Sequence, residues 1–203
     1  MTRSIEFSDT TGVLGLRWSE VAGLKVGRVD FLRRTITVVE TVDDVGGRVV
    51  VADVKTRSSR RTVSVPQVVL VVLAEHMARL GIRGPDEYLF TAPGAGPVRY
   101  HNFRHRVWLP ATAAVGLGGL TFDGLRYAAT SMMAQAGVDI ATASKRLGHS
   151  SVRVTADVYL PLVTSVDQEA AARLGAIMEA ATRVPTGEHS GRAQTGEGKI
   201  STG

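Results

Sequence analysis

The sequence predicts an α+β fold that is mainly α-helical and contains one small three-stranded antiparallel sheet. The run from Arg34 to Thr41 is β-branched and alternating, and residues 47–54 and 61–65 repeat that pattern with turn residues between them. From residue 66 onward, apolar residues recur at helical spacing and are interrupted by glycine and proline. We therefore expect a sheet near the start of the chain and helices in the rest of it.

The first predicted helix has about three turns. Leu14, Trp18, Val21 and Leu24 recur on one face, and Arg17 lies near its start. The three predicted strands follow. Lys55 lies where the second strand meets the turn formed by residues 56–60.

The remaining elements are predicted from helix start and stop signals. Pro66 suits the first turn of a helix, Gly137 and Gly148 suit helix ends, and Pro161 should end the short helix that precedes Tyr159. The predicted helices run from Pro66 to about Leu80, from Tyr100 to about Val115, from Asp123 to Ala136, from Ile140 to Leu147, from Val152 to Val158, and from Ser165 to about Thr182. Residues 81–97 form a long loop between the first two of these helices.

Size and composition favour one domain with a polyanionic partner. The chain has 203 residues, a net charge of +5 and no cysteine, which excludes disulfides, thiolate catalysis and cysteine-ligated metals. The N-terminus lacks the apolar core of a secretory signal, and no stretch approaches the roughly 20 apolar residues that a membrane span requires. We expect a soluble cytoplasmic protein with no membrane partner.

Three segments are predicted. Residues 1–12 form a polar N-terminal stub, residues 13–183 form one folded domain, and residues 184–203 form a disordered tail rich in Gly, Ser, Thr and charge. Function should therefore reside in the central segment.

Four short motifs occur in order along this segment. They are Gly15-Leu16-Arg17 followed by Ser19-Glu20, then Val54-Lys55-Thr56, then Leu125-Arg126-Tyr127, and finally Leu147-Gly148-His149 with Tyr159 ten residues later. Together they supply two arginines, a lysine, a histidine and a late tyrosine. Breaking and rejoining a phosphodiester without metal or ATP requires this set of groups.

The motifs resemble those of the tyrosine recombinases, the phage integrase family, in their C-terminal catalytic domain. The similarity runs from about Val13 to Leu162. Arg17 and Arg126 match the family's two catalytic arginines, Lys55 its hairpin lysine, and Tyr159 its nucleophile, while Leu147-Gly148-His149-Ser150-Ser151 is the best single match. The resemblance implies a tyrosine-recombinase-type catalytic domain. Its expected activity is site-specific recombination of double-stranded DNA through a covalent phosphotyrosyl intermediate, within a homotetramer.

The chemistry assigns each residue a role. A phenol with a pKa near 10 attacks only if it is deprotonated and the phosphate is activated, and two guanidiniums can hold the phosphate oxygens bidentately. Lys55 is suited to protonate the leaving 5′ oxygen, and His149 could hydrogen-bond the phosphate or shuttle a proton. The covalent link stores the bond energy, so no cofactor is expected. No metal is expected either, because His101 and His105 lack a third ligand.

Two features depart from the family pattern. Asp123 takes the position of a catalytic histidine, and its carboxylate could pair with an arginine or act as the base for Tyr159. Family members also carry an N-terminal core-binding domain and at least one more helix before the first motif. The alternative function is therefore that of a truncated or decayed integrase, which binds DNA without catalysing recombination.

Binding to DNA should depend on basic residues that contact backbone phosphates. The candidates around the hairpin and on the helix after the long loop are Arg57, Arg60, Arg61, Arg104 and Arg106. Such contacts provide affinity more than sequence choice.

Overall fold

A computed structural model describes residues 7, 10–54, 59–94, 96–163 and 166–182, except for the side chains of residues 160–170 and 180–182. It divides into two compact units, residues 1–164 and 165–203. The catalytic candidate Lys55, the DNA-binding candidate Arg57 and the predicted tail 184–203 lie outside the described residues, as does most of the predicted N-terminal stub.

The chain before Arg17 contributes to the core. Residues 10–14 are helical, and α1 spans Trp18–Ala22. The prediction of one helix of three turns was wrong because Gly15 adopts a left-handed backbone with φ of +68° and separates the two pieces. Within the predicted polar stub, Phe7 is fully buried, and the centroid of its ring lies 4.6 Å from that of Trp18.

A three-stranded antiparallel sheet is present, but one of its strands differs from the prediction. It consists of β1 (Val29–Asp30), β2 (Thr35–Val38) and β5 (Arg61–Ser64), with β2 in the middle. Residues 48–53 form β4 (Arg48–Asp53), which pairs only with β3 (Glu40–Val45) in a separate hairpin. The alternating pattern predicted the strands, but partner choice depends on register.

Most of the rest of the first unit is helical. They are α2 (Gln67–Leu80), α3 (Tyr100–Phe103, continuing through the π-helical Arg104–Trp108 into Leu109–Ala114), α4 (Phe122–Gln135), α5 (Ile140–Leu147) and α6 (Val152–Val163). Pro161 does not end α6 before Tyr159, contrary to prediction, because it stands in the last turn, where its missing N–H costs one hydrogen bond. The second unit contains α7 (Val166–Thr182). Among the described helices, none combines the length and the apolar composition that crossing a bilayer requires.

The core fixes the ends of the elements that carry the motifs. Its main cluster is mostly aliphatic but includes aromatic rings, and Phe122 at the start of α4 packs on Trp18 and Trp108 at ring distances of 4.7 and 4.5 Å. A smaller cluster joins Ala134, Ala143 and Tyr159 on α4, α5 and α6. The mainly helical α+β prediction is confirmed. Side-chain hydrogen bonds join α4 to the loop before α1 and to the end of α5, and they join the start of β5 to the end of α5.

Candidate active site

Arg126 joins the first and last motifs. From the first turns of α4, its Nη1 donates to the carbonyl oxygen of Gly15 at 2.5 Å, and its Nη2 donates to that of Leu147 at 2.6 Å. The residue is only 8% exposed. A guanidinium has five N–H donors, so three remain for another acceptor once these two bonds are made. Arg126 thus holds the motif loops together and can still bind an anion.

Two glycines of the motifs allow the motif loops to pack closely against neighbouring side chains. Gly15 and Gly148 both have left-handed backbones, with φ of +68° and +67°. A Cβ at Gly15 would lie 2.6 Å from Leu147 Cδ2, and one at Gly148 would lie 2.7 Å from Arg61 Nη1. Both positions therefore exclude a side chain by conformation and by contact.

A buried ion pair lies beneath the motif loops. Arg61 donates from Nη1 and Nη2 to the two carboxylate oxygens of Glu20 at 2.7 and 2.8 Å, and from Nε to the carbonyl oxygen of Arg146 at 2.7 Å. Burial alone would raise the pKa of the Glu20 carboxyl. The hydrogen bond and charge of Arg61, together with the backbone N–H and charge of Arg17, bring it below its ordinary value.

Arg61, a predicted contact of DNA phosphate, is buried in the structure and bonds to protein groups. Its side chain is 5% exposed, and four of its donor contacts go to Glu20, Ser59 and Arg146. The sequence motifs also gave Glu20 no role of its own at the site. Its position three residues after Arg17, at the start of a short helix, was the available signal.

Arg17 is the more accessible of the two matched arginines. It precedes α1, its backbone N–H donates to Glu20 Oε2 at 2.8 Å, and its Nη1 lies 3.3 Å from Glu20 Oε1. Its side chain is 41% exposed. Because Arg61 already binds both oxygens of Glu20, the guanidinium of Arg17 is only partly neutralised. It is therefore available to an incoming anion.

Arg126 brings Arg17 and His149 close, because it bonds to the carbonyl oxygens of Gly15 and Leu147, which lie two residues before each of them. Burial first, then the charge of Arg17, lowers the pKa of Arg126 to about 10, so this guanidinium stays protonated at neutral pH. Burial, followed by the charges of Arg126 and Arg17, lowers the pKa of His149 to about 4. His149 is therefore neutral at neutral pH, and its Nδ1 lies 2.9 Å from Thr155 Oγ1.

His149 lines a cleft between β5 and α5. The cleft has a volume of about 710 Å³, and its lining residues include Arg60, Lys145 and Arg146 but no carboxylate. Arg60, a predicted DNA-binding residue, is exposed there. This surface favours an anionic partner.

The other predicted DNA-binding arginines lie on α3. Arg104 is half-buried, with its Nη1 3.2 Å from His105 Nε2, and Arg106 is exposed beside a separate, mainly apolar cavity of about 230 Å³. The rings of His101 and His105 are 4.4 Å apart. No group of three or more potential metal-binding side chains occurs in the described part of the chain.

Tyr159 is held apart from the three converging residues. It is 5% exposed on α6, and its hydroxyl donates to the carbonyl oxygen of Met133 at 3.4 Å, near the end of α4. Met133 is seven residues beyond Arg126, or roughly 10 Å along the helix axis. Burial and then the charge of Asp139 raise the pKa of the phenol. The structure therefore brings Arg17, Arg126 and His149 together and leaves Tyr159 docked elsewhere.

Asp123 is exposed on the first turn of α4, three residues before Arg126. Its charge acts on Arg126 and partly counters the decrease in the pKa of that guanidinium. Of the two roles proposed from the sequence, the geometry favours that of arginine partner over that of base for Tyr159. The carboxylate is coupled to Arg126, while the Tyr159 hydroxyl bonds at the far end of the same helix.

The sequence and the fold are similar to those of known recombinases. The model of the phage integrase family matches residues 11–164. A XerC-like tyrosine recombinase of Caldanaerobacter subterraneus subsp. tengcongensis is 26% identical, over 73% of this chain and 43% of its own length. The ICEBs1 integrase of Bacillus subtilis is 29% identical, over 79% of this chain and 45% of its own length.

The solved structures with the same fold include the Tn1549 transposon integrase, which was solved in complex with circular intermediate DNA. It superposes with a TM-score of 0.64 at 19% identity, over 76% of this chain and 54% of that chain. The chain spans about half the length of the relatives that it matches. Since the family match covers more than half of the sequence and includes the loops that converge at Arg126, this chain belongs to the phage integrase family.

Proposed function

We propose that the protein cuts and rejoins double-stranded DNA at specific sites by transesterification, as a tyrosine recombinase. The observation that carries this proposal is the convergence of Arg17, Arg126 and His149. Arg126 keeps N–H donors available after bonding to Gly15 and Leu147, and Arg17 is only partly neutralised. Two cations and a neutral imidazole around one position suit a scissile phosphate, whose oxygens gain negative charge in the transition state.

In the proposed reaction, the Tyr159 oxygen attacks the phosphorus and loses its proton. The bond to the 5′ oxygen breaks, and Lys55 protonates that oxygen as it leaves. The product is a 3′-phosphotyrosyl bond and a 5′ hydroxyl. Attack by the 5′ hydroxyl of a second strand then releases Tyr159 and joins the strands, so the number of phosphodiester bonds is conserved.

Tyr159 must leave its docked position before it can attack. The hydroxyl is held by a single bond to the Met133 carbonyl, and its length of 3.4 Å is beyond the usual range for an O–H donor. Release of the hydroxyl gives up only this long bond, while movement of the ring also gives up its packing against Ala134 and Ala143. We propose that DNA binding moves the phenol toward Arg126.

The Tn1549 integrase, which shares the fold, was solved with DNA, and the cleft beside His149 is basic, so we propose double-stranded DNA as the substrate. Arg60 is the predicted phosphate contact that the structure leaves exposed in this cleft. Residues 13–183 are the proposed catalytic domain. The predicted cytoplasmic location stays a prediction.

We further propose that the active form is a homotetramer on DNA. Helix α7 has large apolar residues that are exposed in the structure, with Leu174, Ile177 and Met178 each more than 60% exposed. An apolar helix face of this kind is suited to packing on a neighbouring protomer. The molecular mass of the DNA complex in solution tests this assembly.

The second candidate function is DNA binding without catalysis. Asp123 supports it, because a carboxylate beside Arg126 repels the phosphate that Arg126 is proposed to bind. The docked position of Tyr159 is compatible with either function.

A nicked suicide duplex separates the two. The short fragment downstream of the cut diffuses away, so a cleaved complex persists as a denaturant-resistant adduct. We expect an adduct with the wild type and none with Tyr159→Phe, while Tyr88→Phe, which removes a half-buried tyrosine hydroxyl elsewhere, should keep the adduct. Retarded migration of the duplex without any adduct would favour the second candidate. In that case, Asp123→His should restore cleavage if the carboxylate alone blocks it.

A further inference from the structure

Thr155 is a buried partner of His149 that the proposed reaction has not yet used. It lies on α6, one turn before Tyr159, and is fully buried. Its Oγ1 lies 2.9 Å from His149 Nδ1, and within the described residues this is the only hydrogen bond of that hydroxyl. In the same part of the chain, Nε2 of His149 makes no hydrogen bond, so the ring can offer this nitrogen to a ligand.

The bond can form in two ways, which correspond to the two neutral tautomers of the ring. If Nδ1–H donates, Oγ1 accepts, and the threonine hydroxyl hydrogen is left without an acceptor in a fully buried site. If the hydroxyl donates, Nδ1 accepts with its lone pair, and the proton of the ring is on Nε2. Buried polar hydrogens are almost always satisfied, so the second arrangement is favoured.

We propose that Thr155 is a positioning residue, whose hydroxyl donates to Nδ1 and holds neutral His149 as the Nε2–H tautomer. The ring then presents an N–H donor toward the phosphate site. The role at the phosphate rests on the proposed function, whereas the tautomer does not.

This arrangement decides between the two roles that the sequence left open for His149. An Nε2–H ring stabilises a phosphate oxygen as a hydrogen-bond donor, but it has no lone pair there with which to accept the proton of Tyr159. Protonation at Nδ1 would also remove the acceptor of the Thr155 hydroxyl. Loss of this acceptor therefore lowers the pKa of His149, as do burial and the charges of Arg126, Arg17 and Arg61. The charge of Glu20 acts in the opposite direction.

The tautomer can be measured in the full chain without DNA. Long-range ¹H–¹⁵N correlation spectra distinguish Nδ1–H from Nε2–H rings, and His149→Gln identifies the resonances of residue 149 among the five histidines. We expect the wild type and Thr155→Ser to show the Nε2–H pattern. Thr155→Val, which keeps the shape and removes the donor, should show a mixture of tautomers and a histidine pKa shifted toward its ordinary value.

Thr112→Val is the matched control, because Thr112 is also buried but its hydroxyl donates to the carbonyl oxygens of Trp108 and Leu109 on α3. It should leave the His149 spectrum unchanged. An Nδ1–H ring in the wild type overturns the proposal even if Thr155→Val does not fold. So does a folded Thr155→Val protein with an unchanged tautomer and pKa.

Cleavage of the suicide duplex tests the catalytic consequence. Losing one positioned hydrogen bond should slow adduct formation by Thr155→Val about tenfold, while Thr155→Ser restores the rate. If Thr155→Val cleaves at the wild-type rate, the positioning role is contradicted. A wild type that shows the Nε2–H ring but forms no adduct contradicts the proposed function alone.

Discussion

Replacing Glu20 with alanine should be among the most destabilising single changes at the site. The carboxylate accepts from Arg61 at 2.7 and 2.8 Å, and the two side chains are 1% and 5% exposed. Removing it leaves a buried guanidinium without its counter-charge, which costs about 3–5 kcal/mol in the free energy of unfolding. For a chain of this size, that loss lowers Tm by roughly 6–20 °C.

Urea denaturation of Glu20→Ala measures the loss, and Asp30→Ala is the control. Asp30 also pairs with an arginine, Arg33, at 3.2 Å, but the two side chains are 37% and 85% exposed, so its loss should cost much less stability than the loss of Glu20. The double variant Glu20→Leu/Arg61→Met should recover most of the stability, because it removes both charges. Equal losses for the two alanine variants would refute the role of burial.

The same pair predicts a dependence on pH. Because the pKa of folded Glu20 is below its ordinary value of 4.5, its contribution to stability is complete above about pH 4.5 and is lost as the pH falls through the folded pKa. Stability measured from pH 7 to pH 3 should therefore fall less steeply in Glu20→Ala than in the wild type. Parallel curves would contradict the lowered pKa.

Three further predictions concern the residues that converge at the phosphate site. Gly148→Ala should cost about 1–3 kcal/mol more than Gly137→Ala in urea denaturation. Both glycines have φ near +70°, but a Cβ at Gly137 meets nothing within 4 Å, whereas one at Gly148 meets the Arg61 guanidinium. Equal losses of stability in the two variants would show that this contact does not destabilise Gly148→Ala. The wild type should lose stability as the pH falls from about 6.5 toward 4, because His149 takes up its proton more readily in the unfolded state. His149→Gln should flatten the plot of stability against pH over this range. An unchanged slope would contradict the lowered pKa of His149. Arg126→Lys should lower the free energy of unfolding by about 1–3 kcal/mol, because an ammonium group cannot reach both carbonyl oxygens that the guanidinium bonds. Adduct formation on the suicide duplex should also decrease. An undiminished adduct would contradict the proposed role of Arg126.

Features with local causes could be predicted from the sequence. Helix α5 has the predicted bounds, Ile140 to Leu147, because Asp139 caps its start and Gly148 takes the left-handed conformation at its end. Both signals lie within a few residues of the helix. Local signals also set the bounds of α2, which begins directly after Pro66 and ends at Leu80, before the left-handed Gly81.

Features with distant causes could not be predicted. Arg61 follows an arginine-rich turn, and that local context indicates a solvent-exposed cation. Its partner Glu20 is 41 positions away, so nothing near Arg61 in the sequence indicates that the guanidinium is buried. The pairing of β4 with β3 has a similar origin, because an alternating strand can pair in more than one sheet.

The site combines a fixed part and a movable part. Arg126 is tied to two carbonyl oxygens at 2.5 and 2.6 Å, and Glu20 and Arg61 form a buried ion pair, so the groups that we propose to bind phosphate are held in place in the absence of DNA. The hydroxyl of Tyr159 instead makes one bond, of 3.4 Å, although its ring is buried. Thr155 and Tyr159 are four residues apart on α6, and therefore on the same face of that helix. A shift of α6 that releases the phenol would also change the bond from Thr155 to His149, so nucleophile release and histidine orientation should be coupled.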